Sequence, residues 1–151
     1  MIENEVGEKE QKTLNVTEHQ GFLRTPEHSY SLNHDDNDVD LSEVEQTTDG
    51  IEFKGYLGVC GILTLRSETG SVEMLLHGYF PSSLKILANE VINIFPKDTP
   101  RVYTARLHVP KDKSDRARRY EEISNEFLQA VGIHSALEIV QHERGAVDIS
   151  V

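Results

Sequence analysis

The 151-residue chain carries 26 Asp and Glu residues against 15 Lys and Arg, which gives a formal net charge of −11. This length is typical of one domain, and an apolar fraction of 37% excludes a chain that is disordered throughout. The charge lies almost entirely in residues 1–50, where 13 acidic side chains are balanced only by Lys9, Lys12 and Arg24. Such a segment repels nucleic acid and anionic membranes, so it favours a basic partner.

The sequence carries few signals of targeting or of cofactor chemistry. It has no apolar run of about 18 residues, the length that a membrane span needs, and its first residues are acidic where a signal peptide would be basic. Its one cysteine, Cys60, cannot form an internal disulfide, which is typical of a reducing compartment. We therefore predict a cytoplasmic protein without a metal or another cofactor.

Residues 1–49 are predicted to form an acidic, largely flexible segment, in which residues 13–33 are a candidate for an edge strand or for a stretch lying across the domain, and residues 50–151 are predicted to form a single domain. Carboxylates at positions 36, 38 and 40 alternate as they do at the start of an EF-hand calcium loop. However, Leu41 stands where that loop requires glycine, and Thr47 stands where it requires a bidentate Glu. We interpret the acidic run as a solvated linker that leads into a short helix over residues 41–46.

Residues 50–80 have the pattern of one long β-hairpin. Apolar residues or glycine occupy every odd position from 51 to 65, and the alternation resumes on the even positions from 72 to 80. Gly70 suits the positive φ that a tight loop between the two strands requires. If Arg66 pairs with Ser71 around this loop, Cys60 lies directly opposite His77.

Two helices and further strands follow the hairpin. The first helix starts at residues 81–83, with Ser82 or Ser83 as its N-cap, and ends at Pro96. Its apolar stripe has helical spacing. Residues 101–109 have β character. The second helix begins at Ser114 or Asp115 and ends before Gly132, a natural residue for the position after a helix. Residues 136–142 and 146–151 are predicted to pair as a C-terminal hairpin.

The resulting order, β-β-α-β-α-β-β, predicts an α+β fold. The expected architecture is an open two-layer sandwich, with two helices on one face of a mixed sheet of about five strands. The other face would stay exposed with more apolar area than a solvated face usually shows, so it is predicted to bind a protein partner or a second copy of the chain. The side chains predicted to form this interface are Tyr56, Ile62, Leu75, His77 and Tyr79.

Three residue pairs suggest catalytic chemistry, but each lacks a companion that the chemistry requires. Cys60 beside His77 would begin a nucleophilic site, yet no orienting carboxylate is recognisable. Glu52 and Lys54 have the Glu-x-Lys spacing of a metal-dependent nuclease, which also needs an aspartate on a neighbouring strand. His77 and His108 resemble the paired strand histidines of cyclic-phosphodiesterase-like enzymes, but the hydroxyl two residues after each histidine is absent. We therefore assign no catalytic residue.

The start of the second helix is unusually basic. Cations there oppose the helix dipole, so they call for ion pairs with nearby acids or for an anionic ligand. Glu122, one turn further on, would supply such an ion pair, and the acidic residues 35–49 lying against the basic side chains are a third alternative. The residues predicted to bind an anion or a partner are Lys111, Lys113, Arg116, Arg118 and Arg119.

Two functions from different classes remain open at this point. The first is a small acidic interaction or regulatory protein that binds a macromolecular partner through the exposed sheet face, the basic helix start or the acidic segment. The alternative is a metal-dependent nuclease or another small hydrolase, built on Glu52 and Lys54 or on Cys60 and His77. We favour the first because no complete catalytic set is recognisable.

Overall fold

The computed structural model describes residues 14–15, 20–35, 38–44, 50–97, 102–111 and 115–151. The strands are β1 (Leu14–Asn15), β2 (Gln20–Arg24), β3 (Ser29–Asp35), β4 (Asp38–Val44), β5 (Ile51–Leu57), β6 (Gly61–Ser67), β7 (Glu73–Gly78), β8 (Tyr103–Pro110), β9 (Leu137–His142) and β10 (Gly145–Ser150). The helices are α1 (Pro81–Ile94) and α2 (Asp115–Ala130). Neither helix has the length and the apolar composition that a membrane crossing needs.

Seven of these strands form a mixed central sheet in the order β4-β3-β2-β7-β6-β8-β9. Neighbouring strands are antiparallel except for β8 and β9, which are parallel and are joined through α2. A parallel pair requires such a crossover connection. The predicted α+β class with two helices is confirmed, whereas the predicted count of about five strands is corrected to seven in this sheet alone.

Three strands of the central sheet come from the part of the chain before residue 50. Strand β2 pairs with both β3 and β7, and Leu23 and Leu32 are fully buried in the core. The boundary predicted after residue 49 therefore does not separate the sheet from a flexible segment, and residues 41–44 belong to β4 rather than to a helix. The local pattern did not predict three strands here, because apolar residues are sparse in this region. The strand that pairs β2 with the rest of the sheet, β7, also lies far away in the sequence. Residues 1–13 lie outside the described part of the chain.

The two helices cover one face of the central sheet. Helix α1 begins at Pro81, whose fixed φ and missing N–H suit the first helical position, and its apolar stripe is buried as predicted. Helix α2 ends in a Schellman motif, in which Gly132 has a φ of +77°. There the Ile133 N–H donates a hydrogen bond of 2.9 Å to the Leu128 carbonyl oxygen. The apolar stripe of α1 and the end of α2 are therefore confirmed, whereas the N-cap of α1 is Phe80 rather than Ser82 or Ser83.

A second, smaller sheet covers the other face of the central sheet. It has the order β1-β5-β10, with β1 parallel and β10 antiparallel to β5. The buried cluster between the two sheets consists of Phe22, Ile51, Phe53, Leu57, Cys60, Ile62, Leu75 and Ile149. The expected open two-layer sandwich is therefore corrected to three layers, in which helices and a small sheet enclose the central sheet.

Two stretches that were predicted as hairpins are divided between the sheets. Residues 58–60 carry the chain from β5 in the small sheet to β6 in the central sheet. Residues 143–144 carry it back from β9, which pairs with β8, to β10, which pairs with β5. The alternation runs unbroken from position 51 to 65, yet Phe53 of β5 and Leu63 of β6 belong to different core clusters.

The hairpin that does form consists of β6 and β7, in a register two residues away from the predicted one. Ile62 rather than Cys60 pairs with His77. The loop is residues 68–71, closed by a hydrogen bond of 2.9 Å from the Ser67 N–H to the Val72 carbonyl oxygen. Because the difference is two residues, each side chain still lies on its predicted face.

One side chain of α2 holds residues 58–60 in place, the crossing segment that joins β5 in the small sheet to β6 in the central sheet. The Tyr120 hydroxyl lies 3.1 Å from the carbonyl oxygens of Val59 and Gly78 and 3.0 Å from that of Tyr79. The Tyr120 ring occupies the space where a side chain at Gly61 would lie, which explains glycine at that position. Burial raises the pKa of the Tyr120 hydroxyl, so it remains a hydrogen-bond donor.

Candidate functional site

The five residues predicted to form an exposed interface lie in different environments. Ile62, Leu75 and His77 are fully buried on the face that the small sheet covers. Tyr56 is 67% exposed at the end of β5, and Tyr79 is half-buried with its ring packed edge-on against Phe80. The prediction that this face is open is therefore wrong, because strands that are distant in the sequence cover it.

Cys60 and His77 are both buried, and the ladder does not place them opposite each other. The Cys60 Sγ atom lies 3.8 Å from the Tyr56 carbonyl oxygen, at hydrogen-bond distance for sulfur. His77 packs against Phe53 with the ring centroids 4.5 Å apart. These contacts place the thiol and the imidazole in the core between the two sheets, where they pack against neighbours.

Glu52 and Lys54 lie on the small sheet and form an ion pair of 3.7 Å. The partner strand β10 places Asp148 directly opposite Lys54, so an aspartate on a neighbouring strand does exist. Sequence reasoning missed it because β5 and β10 are separated by most of the domain. Within the described ranges, no group of three His, Cys, Asp or Glu side chains is placed to hold a metal ion. The nuclease alternative therefore gains no metal site from these residues.

The basic helix start is partly neutralised by ion pairs. The Lys111 Nζ lies 2.9 Å from the Glu143 carboxylate, and the Arg119 guanidinium lies 3.3 Å from that of Glu122. Arg118 is exposed and Arg116 is half-buried, whereas Lys113 lies outside the described residues. Strand β4 forms the edge of the sheet opposite to β8 and β9, so its carboxylates do not lie against these cations. Exposed pairs of this kind are individually weak, so the binding of an anion or a partner by these residues stays a prediction.

Two histidines meet at the other edge of the central sheet. The Nδ1 atom of His108 lies 2.9 Å from the Nε2 atom of His142, and the two rings are stacked. Burial lowers the pKa of His108 to about 4, with a smaller effect from the neighbouring His142, and burial also lowers the pKa of His142. Both imidazoles are therefore neutral at pH 7. No sequence pattern indicated this pair, because the two residues meet only through the parallel pairing of β8 and β9.

An acidic groove lies at the opposite edge of the sheet, between β4 and α1. Its volume is about 640 Å³. The residues that line this groove are Asp38, Val39 and Asp40 from β4 and Ile86, Asn89, Glu90 and Asn93 from α1. Three of them are acidic and none is basic. The acidic run at positions 36–40 was recognisable from the sequence, but the helix wall that turns it into a groove was not.

Comparison with protein-family models and with curated proteins finds no match for this chain.

Proposed function

We propose that this protein is a binding module for an extended, basic segment of another protein, which adds to the edge of β4 beside α1. The observation that carries this proposal is the acidic groove, which lies between an edge strand and a helix. Grooves of this construction support strand addition, in which a peptide extends the sheet while its side chains contact the neighbouring helix.

The main chain of β4 supplies the first part of the recognition. Among the described residues β4 pairs only with β3, so one row of its N–H and C=O groups faces away from the sheet. An edge strand of this kind is a template for pairing with another chain. Main-chain hydrogen bonds of a bound strand would supply affinity that depends little on the sequence of the partner.

The groove lining supplies the specificity. Asp38, Asp40 and Glu90 provide negative charge, which favours lysine or arginine in the partner. Val39 and Ile86 are half-buried and provide apolar surface between the charges. A partner strand that alternates basic and aliphatic side chains matches this lining, because successive residues of a strand point to opposite faces. The overall net charge of −11 also favours encounters with a basic partner.

A short labelled peptide that alternates lysine and valine tests this proposal by fluorescence anisotropy with the full-length protein. The triple variant Asp38→Asn/Asp40→Asn/Glu90→Gln should bind the peptide about tenfold more weakly, since each lost charge contact is worth about 0.2–1 kcal/mol. A peptide methylated on alternate backbone nitrogens should also bind more weakly, because it cannot form the strand ladder.

The matched control is Glu68→Gln/Glu121→Gln/Glu126→Gln, which removes the same number of exposed carboxylates from other parts of the surface. It should bind the peptide nearly as tightly as the wild type does, with a difference due only to long-range charge. Equal affinities for both triple variants would contradict the groove as the site. Unchanged binding of the methylated peptide would contradict strand addition.

A further inference from the structure

His108 and His142 bring two imidazole nitrogens together at the carboxyl ends of the parallel strands β8 and β9. The 2.9 Å distance joins Nδ1 of His108 to Nε2 of His142, and the ring planes differ by 30°. His108 is only 8% exposed, whereas His142 is half-buried and reaches solvent. The pair therefore consists of a buried inner ring and an outer ring that solvent reaches.

Two positive side chains lie beside the pair, and each of them is paired with a carboxylate. Arg106 beside His108 is paired with Glu138 at 2.9 Å, and Lys111 beside His142 is paired with Glu143 at 2.9 Å. Each neighbouring positive charge thus has a carboxylate partner. The two nitrogens are at hydrogen-bond distance, so one of them carries a proton, which must move to the other nitrogen of its ring before both lone pairs can bind an ion.

The distance between the two nitrogens selects a coordination geometry. Metal–imidazole bonds are about 2.0–2.1 Å long, so nitrogens 2.9 Å apart subtend an angle of about 90° at a shared ion. This is the angle between adjacent ligands in tetragonal coordination, which Cu²⁺ and Ni²⁺ prefer, rather than the wider angle of tetrahedral Zn²⁺. We propose that His108 and His142 form a two-imidazole site for a tetragonal divalent transition-metal ion, with Cu²⁺ as the tightest ligand and water in the remaining positions.

The expected affinity is moderate. To bind a metal through Nδ1, His108 must carry its proton on Nε2, and that atom is buried without a hydrogen-bond partner in the described part of the chain. Missing support of this kind lowers metal affinity about 10- to 100-fold. We therefore expect dissociation constants in the micromolar range, and we expect the ion to link β9 to β8.

Titration of the full-length protein with Cu²⁺, followed by calorimetry and by electron paramagnetic resonance, tests the site. The wild type should bind one Cu²⁺ that shows hyperfine coupling to two imidazole nitrogens, and Ni²⁺ should bind at least as tightly as Zn²⁺. His142→Gln should weaken Cu²⁺ binding at least about tenfold and should abolish the two-nitrogen signal. His134→Gln, which changes an exposed histidine elsewhere, should leave both unchanged.

A thermal melt provides a second readout that does not depend on the spectrum. Cu²⁺ should raise the melting midpoint of the wild type and of His134→Gln, since an ion that binds only the folded state stabilises it, but not that of His142→Gln. Equal Cu²⁺ affinity and stoichiometry in the wild type and His142→Gln would overturn the proposal. A wild-type spectrum without coupling to two imidazole nitrogens would overturn it independently of any variant.

Discussion

The two faces of the central sheet are buried by different kinds of cover. On one face, α1 and α2 enclose a cluster of 21 buried hydrophobic residues, whereas the small sheet on the other face encloses a cluster of eight. The buried polar side chains Thr64, His77 and His108 lie on the face with the smaller cluster. The helices therefore supply most of the apolar stabilisation, while the small sheet makes an otherwise open face part of the interior.

Removing the strands before residue 50 should have the largest effect, because both faces depend on them. Phe22 contributes to the small-sheet cluster, and Leu23 and Leu32 contribute to the helix-side cluster. The buried carboxylate of Glu73 also loses one of its two guanidinium partners, that of Arg24. We expect residues 49–151 expressed alone to lose the cooperative thermal transition of the full-length chain, as followed by circular dichroism.

Deletion of residues 1–12 is the control, since it leaves every described strand in place. It should melt close to the full-length midpoint. A cooperative transition of residues 49–151 with an unchanged midpoint would instead support the boundary predicted from the sequence.

Two adjacent leucines of β7 allow the contributions of the two faces to stability to be compared directly. Leu75 belongs to the small-sheet cluster and Leu76 to the helix-side cluster, and both are fully buried. Each Leu→Ala substitution should lower the free energy of unfolding by about 2–5 kcal/mol, with Leu76→Ala at the upper end because its surroundings are more densely apolar. Urea denaturation measures both values.

The exposed Thr104→Ala on β8 serves as the reference and should change stability by less than about 0.5 kcal/mol. If Leu75→Ala resembles Thr104→Ala rather than Leu76→Ala, the second face is open to solvent, as the sequence alone suggested.

Tyr120→Phe tests the link between the two faces and should have the smallest effect of the three. Its hydroxyl reaches the carbonyl oxygens of Gly78 and Tyr79 at the end of β7 and that of Val59 in the segment leading into β6. Its loss should cost about 1–3 kcal/mol in urea denaturation, because these three oxygens share its one O–H donor in a largely buried place. Tyr56→Phe removes a hydroxyl from a side chain that is 67% exposed, and it should be nearly neutral. Similar values for the two variants would show that the hydroxyl of Tyr120 does not hold the crossing segment.

Local sequence signals were sufficient for the elements whose stabilising contacts lie close together in the chain. The apolar stripe of α1, the stop of α2 at Gly132, and the hairpin of β6 and β7 were all predicted. In each case a helical period, a turn residue or a strand alternation specifies the structure within about 20 residues. The same signals predicted the α+β class and the burial of the helix-side face.

The layer on the second face and the residues that meet at the edges of the sheet depend on contacts between strands that are distant in the sequence. The ladder of β5 and β10 joins Lys54 to Asp148, and the ladder of β8 and β9 brings His142 to His108. Alternation states which side chains share a face, but it carries no information about which distant strand pairs alongside or which layer packs above. For that reason the acidic run was recognisable in the sequence, whereas the groove that it forms with α1 and the paired histidines at the opposite edge were not.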